Sequence, residues 1–220
     1  MDLKQVFDFL IDLKSNNNRD WFQDNKEYFL MSKSLFEQFI DKLIPKIMEI
    51  DKSIGNISAK DCIYRIYRDV RFSKDKRPYK NHFGALIGAT GRKSTKAGYY
   101  IHIEPDASFI GGGIYKPDST VLKLIRNEIY YNIDEFKSII NDDSFKSKFP
   151  EIIGEKLKLP PKGFPKDFQD IDLLKYKSYA VIHSVRNNFW FENNIEDKIM
   201  EVFKIQSRLN QFLNRVFENS

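Results

Sequence analysis

The sequence predicts an α+β fold, a single domain over residues 1–220 with a mainly antiparallel sheet flanked by N- and C-terminal helices. Three observations predict it. Apolar residues recur at helical spacing near both ends of the chain. Between them lie short segments rich in β-branched and aromatic residues, separated by turn formers. No repeat and no Pro- or Gly-rich break divides the chain, and helices segregated around a sheet are the economical packing of such a pattern.

Val6, Phe7, Leu10 and Leu13 set a first helix that ends near Lys14, where Asn16, Asn17 and Asn18 form a turn and cap the next helix. From Arg19 to Met48 a stripe including Trp21, Phe22, Phe29, Phe36, Phe39, Ile40, Leu43 and Ile47 predicts one or two helices, with Pro45 as a kink or break. Residues 62–72, CIYRIYRDVRF, read as a strand, and residues 82–89 as a second. Residues 90–98 read as a mobile connection. GYYIHIE and SFIGGGIY flank Pro105-Asp106, a turn pair that predicts a hairpin.

Asp118 or Ser119 can cap a helix carrying Val121, Leu122, Ile125 and Ile129, and a short helix comes next, from Asp134 to Ile140. Leu159 to Asp172 reads as an ordered loop, 177–185 as a further strand, and the C-terminal stretch from Ile195 as a helix with Ile195, Ile199, Val202, Phe203, Leu209 and Phe212 on one face.

Composition removes several classes. Of 220 residues, 41% are hydrophobic and 15% aromatic, enough for a core and against intrinsic disorder. A single cysteine, Cys62, excludes an intrachain disulfide and a Cys-rich zinc module, and is expected to be buried and inert. Nothing approaches the roughly 18 consecutive apolar residues of a membrane span. Asp2, Asp8 and Asp12 interrupt any signal-peptide core, so a cytoplasmic protein with no membrane partner is expected.

The net charge of +5 is unevenly spread: residues 60–96 carry a net +8, leaving −3 elsewhere. Lys outnumbers Arg 26 to 10 over the chain, so lysine alone says little. Arg65, Arg68, Arg71 and Arg77 nevertheless fall within thirteen positions. A guanidinium offers a planar fork for bidentate bonding that an ammonium cannot mimic.

The stretch from Arg65 to Lys80 reads R-x-x-R-D-x-R-F-x-x-x-K-x-x-Y, with Arg65, Arg68, Asp69, Arg71, Phe72, Lys76 and Tyr79 at its fixed positions. It resembles the signature of a bacterial family of conserved hypothetical proteins, domain of unknown function 2461. Asn17 to Phe22, Gly111 to Pro117 and Pro161 to Phe164 also resemble that family, so the similarity spans nearly the whole chain. The resemblance implies one domain and supplies no reaction, substrate or cofactor.

On a strand, Arg65, Tyr67, Asp69 and Arg71 would share one face, and Tyr64, Ile66, Arg68, Val70 and Phe72 a second, core-like face. A buried Arg68 would need a carboxylate or several carbonyls. Functionally, Asp69 would orient the arginines around a phosphate or carboxylate, with Lys76, Tyr79 and Lys80 completing the pocket. Structurally, Asp69 would merely neutralise Arg65 and Arg71. A helical segment would instead group Arg65, Arg68, Asp69 and Phe72.

His102 and Glu104 share a strand face two residues apart and His82 can lie on a neighbouring strand, a trio that suits proton transfer or metal ligation; without H-E-x-x-H or paired-cysteine spacing, no metal and no cofactor is expected. Gly112, within Gly111–Gly113, and Lys116 can offer backbone N–H groups and charge to an anion before the helix near Ser119. The plainer use of strand glycine is close packing. Trp21, Phe22 and Tyr28 are expected in the core, and His183 has little to recommend it.

The functional expectation is a protein that binds a phosphate-bearing small molecule or nucleotide at the basic segment. Any catalysis would use Asp69 or His102 as proton carrier, with Arg65, Arg71 and Lys76 stabilising charge. The alternatives are a nucleic-acid-binding module using residues 60–96 as a phosphate track, and an interaction protein whose arginines form structural ion pairs. Oligomeric state is open at this level.

Overall fold

The computed structural model describes residues 3–218; Asp2, one of the charges set against a signal peptide, lies outside them. The fold is α+β. Its elements are α1 (Leu3–Ser15), α2 (Arg19–Asp24), α3 (Lys26–Ile50), α4 (Ala59–Cys62), β1 (Phe83–Ile87), β2 (Ala89–Arg92), β3 (Gly98–Ile103), β4 (Phe109–Ile114), α5 (Ser119–Tyr131), α6 (Ile133–Ile140), α7 (Asp143–Lys148), α8 (Ile171–Leu174), β5 (Tyr179–Ser184) and α9 (Ile195–Asn214). Among these residues no helix is long and apolar enough to cross a membrane.

A four-stranded sheet of order β1-β3-β4-β5 is antiparallel throughout. The β3–β4 hairpin turns at Pro105-Asp106, where Asp106 takes φ +70° and the Ala107 N–H donates to the Glu104 carbonyl. One face, with Phe83, Ala85, Ile87, Tyr99, Ile101, Ile103 and Ile110, is buried. Helices α3 and α9 cover it, with Phe36 against Phe83 and Phe203 against Tyr99 at ring separations of 5.4 and 5.0 Å.

The stripe Phe36, Ile40, Leu43, Ile44 and Ile47 runs through Pro45, and α3 does not end there. Proline inside a helix costs about 3 kcal/mol, whereas each fully buried Leu or Ile contributes about 1.5–3 kcal/mol; the buried turns on either side outweigh the missing bond. Asn18 caps α2 through the Trp21 N–H, as the asparagine run suggests.

The segment expected as a strand over 62–72 is different. Cys62 closes the short helix α4, and the chain then forms an arm over residues 63–80 held by two isolated bridges, Ile63 to Ala85 and Tyr67 to Tyr79. Side-chain alternation survives from Arg65 to Asp69, with Arg65, Tyr67 and Asp69 exposed and Ile66 buried, because the backbone there is extended. Beyond Val70 the chain turns, with the Ser73 N–H on the Val70 carbonyl, and Phe72 is 97% exposed rather than core. Asn17 pins the root of the arm: its side-chain amide donates to the Tyr79 carbonyl and Asn81, and its oxygen accepts from the Tyr79 N–H.

The connection over 90–98 contains β2 and a turn at Gly91, which is ordered by the Ser94 N–H on the Gly91 carbonyl. Helices α7 and α8 go beyond the sequence expectation; both are short, and α8 begins inside the segment read as loop.

Candidate functional site

The β1–β3 register pairs Gly84 with His102 and Leu86 with Tyr100, which puts these residues on the sheet face opposite α3 and α9. Leu86, Tyr100 and His102, with Phe109, Gly113, Ala180 and Ile182, form the floor of a cavity of about 740 Å³. One side is apolar, including Ile114, Val121 and Ile153. The opposite side carries Tyr64, Lys80, Arg92 and Lys96, and Lys116 adds a further cation. Asp118 also lines the cavity, but its carboxylate caps α5 by accepting from the N–H groups of Thr120 and Val121. The size falls within the range of about 300–1,000 Å³ common for small-molecule sites.

At one end of the floor His82, His102 and Glu104 converge, each offering a donor atom within 4.8 Å of the others. His102 Nε2 lies 2.8 Å from Glu104 Oε2, and His82 Nδ1 lies 3.8 Å from the same oxygen. The two imidazole rings are 4.1 Å apart. Tyr100 Oη lies 3.3 Å from His102 Nδ1. Burial pushes both histidines down to about 4 and raises the Tyr100 phenol, so at neutral pH the rings are uncharged and the hydroxyl keeps its proton. A neutral His102 that donates Nε2–H to Glu104 accepts the Tyr100 hydroxyl at Nδ1, giving a continuous chain Tyr100–His102–Glu104 able to pass a proton.

Lys80 leans over the Tyr64 ring at 5.5 Å, and its ammonium is lowered first by burial and then by Arg65. Arg92 donates to the Lys60 carbonyl at 2.5 Å and separates the cavity from a more open basin of about 520 Å³ lined by Lys33, Glu37, Lys60, Arg65 and Lys93.

Of the residues singled out from sequence, Lys80, His82, His102, Gly112 and Lys116 line the cavity, and Arg65 lines the open basin. The rest of the arginine tract is elsewhere. Arg71 forks onto Asp69 with Nε–Oδ1 3.0 Å and Nη2–Oδ2 2.7 Å, and these bonds hold the Asp69 carboxyl below its ordinary range. Arg68 donates to Asp75 at 2.8 Å and to the Arg77 carbonyl at 2.9 Å, the carboxylate and carbonyl that a half-buried guanidinium needs. Arg77 grips the same Asp75. Lys76 donates to the Val70 carbonyl, and Tyr79 is buried with its ring stacked on Phe22 at 3.9 Å. Asp69 is therefore a bound counter-ion on the arm, and of the two proton carriers considered it is His102 that faces the cavity. Gly112 takes φ +151°, and a β-carbon on it would run into the Gly98 carbonyl and Gln206 of α9, so its bareness serves close packing as well as lining.

The family described as conserved hypothetical protein (DUF2461) matches residues 5–212. The chain belongs to this family. No curated protein and no solved structure matched it. The Arg65–Tyr79 stretch builds the arm and its root, and Lys80, just past it, lines the cavity.

Tyr64, Tyr100 and Arg92 are site residues that the sequence reading does not single out. Alternation places Tyr64 in the core, yet it is half-buried at the cavity wall because the segment is not in the sheet. The signal that could have found Tyr100 is its period-two spacing to His102 and Glu104 on one strand face.

Proposed function

We propose that this protein binds a phosphate-bearing small molecule, such as a nucleotide, in the cavity over the uncovered face of the sheet. The observation that carries the reading is the asymmetry of the wall: Lys80, Arg92, Lys96 and Lys116 surround a space whose lining carboxylate, Asp118, is committed to a helix cap. An anion would meet cations without a competing free carboxylate on the lining, while Tyr64, Tyr115, Phe109 and Ile182 offer flat and apolar surface to the rest of the ligand. The basic segment contributes Lys80, Arg92 and Lys96 to this site, and its clustered arginines stabilise the arm beside it.

A thermal-shift series with nucleotides, sugar phosphates and polyphosphate tests the reading. At least one of these anions raises the wild-type Tm, and the shift is lost in Lys80→Ala and Lys116→Ala but kept in Arg71→Ala. No shift for wild type with any of these anions, or equal shifts in the lysine variants, overturns it.

A second reading rests on Phe72, which stands 97% exposed beside Arg71 on an arm rich in cations. Such an arm suits a nucleic-acid backbone with a stacking ring. Binding of random DNA that falls steeply with salt and is lost in Phe72→Ala would favour it.

A further inference from the structure

We propose that His82, His102 and Glu104 form a binding site for a divalent first-row transition metal at the floor of the cavity, through His82 Nδ1, His102 Nε2 and one carboxylate oxygen of Glu104. The site is independent of the anion reading, because it uses different residues and a different ligand.

The juxtaposition comes from the sheet. Phe83 pairs with Ile103, so extending the ladder by one residue sets His82 beside Glu104, on the face that already carries His102. Gly84, opposite His102, leaves room on this face for the Tyr100 hydroxyl, and the two imidazole rings approach to 4.1 Å. The donor atoms lie 2.8 and 3.8 Å from the shared carboxylate oxygen and all within 4.8 Å of one another. A metal about 2.0–2.2 Å from nitrogen and oxygen ligands holds neighbouring donors roughly 3–4 Å apart, so small side-chain shifts close the site. Two imidazoles and a carboxylate suit borderline ions such as Zn²⁺, Co²⁺, Fe²⁺ or Mn²⁺.

Tyr100 completes the arrangement. When Nε2 of His102 ligates a metal, the ring proton resides on Nδ1 and is donated to the Tyr100 hydroxyl oxygen, 3.3 Å away. This is the partner that orients a ligating histidine and selects its tautomer. The proton that His102 gives to Glu104 in the metal-free arrangement moves to the other ring nitrogen, so the number of protons is unchanged. Three protein ligands leave coordination positions open, and here they open onto the cavity. Glu104 neutralises only part of a dication, and Lys80 lies close by. A metal therefore leaves a net positive floor that calls for an anionic fourth ligand.

Zn²⁺ titration calorimetry and Co²⁺ visible absorption on the full chain, in phosphate-free buffer, test the site. One equivalent binds to wild type, binding is lost in His82→Ala and Glu104→Gln, and it weakens about tenfold in Tyr100→Phe. His183→Ala, which removes the chain's third histidine, leaves it unchanged. Failure of both ions to bind, or binding that survives His82→Ala and Glu104→Gln, overturns the proposal. Should a variant not fold, ¹⁵N-histidine spectra of the wild type decide: Zn²⁺ shifts His82 and His102 and moves the His102 ring proton to Nδ1. Spectra unchanged by Zn²⁺ overturn the site.

Discussion

Gly84 faces His102 across the β1–β3 ladder, and the space its absent side chain leaves is taken by the hydroxyl of Tyr100, which would collide with a β-carbon there. The cavity floor therefore depends on a residue with no functional group. Gly84→Ala is expected to displace the Tyr100 ring, break its bond to His102 and lower stability by about 1–3 kcal/mol, the usual range for overpacking. Urea denaturation together with anion binding checks this; wild-type stability and affinity would contradict it.

Gly112 is expected to act through packing. An alanine there needs an unfavourable φ and meets the Gly98 carbonyl and Gln206, whose amide donates to that same carbonyl at 3.0 Å. Backbone strain and overpacking of this kind each cost about 1–3 kcal/mol. Gly112→Ala should lower the urea midpoint well beyond Gly84→Ala. A variant with an unchanged midpoint would show that the sheet and α9 can part without cost.

The arm should respond to arginine loss unevenly. Arg71 and its partner Asp69 are exposed, with side-chain accessibilities of 77% and 46%, and a solvated pair is worth little. Arg68 is only 24% exposed and ties Asp75 to the Arg77 carbonyl. Arg68→Ala is expected to speed hydrogen exchange at the Arg68 and Lys80 amides, which bond to the Pro78 and Ile66 carbonyls, while Arg71→Ala leaves them unchanged. Equal protection loss in both variants would show that the two pairs hold the arm alike.

Asp142 supplies a pH dependence. It caps α7 through the Phe145 N–H, and bonds from Ser144, Phe145 and Arg208 of α9 hold its carboxyl down to about 2 from an ordinary value of 3.8. Because the folded value lies below the unfolded one, the stabilisation is complete above 3.8 and fades as pH falls towards 2. The Tm difference between wild type and Asp142→Asn should thus be full near neutrality, shrink below about pH 4 and close only as pH falls through about 2. A difference constant with pH would contradict the charge argument.

The helical stripes, the β3–β4 hairpin and the Asp118 cap are legible in sequence because each rests on local periodicity or a local bond. The 62–72 segment misleads for the same reason. Its β-branched and aromatic residues favour extended backbone, but whether an extended segment joins a sheet depends on whether the chain stays alongside the edge strand. Here Ile63 alone bridges to β1, and the chain turns back through Pro78 and Tyr79.

The sequence by itself determined the α+β class, the order of most elements and the concentration of cations in residues 60–96, since composition and spacing are properties of the chain alone. Only the tertiary structure decided which cations surround a cavity and which are absorbed by neighbouring aspartates. It also brought His82 to His102 and Glu104, twenty residues and more away in the chain. Strand register, not sequence distance, sets which side chains share a face, and register is a product of how the whole sheet pairs and packs.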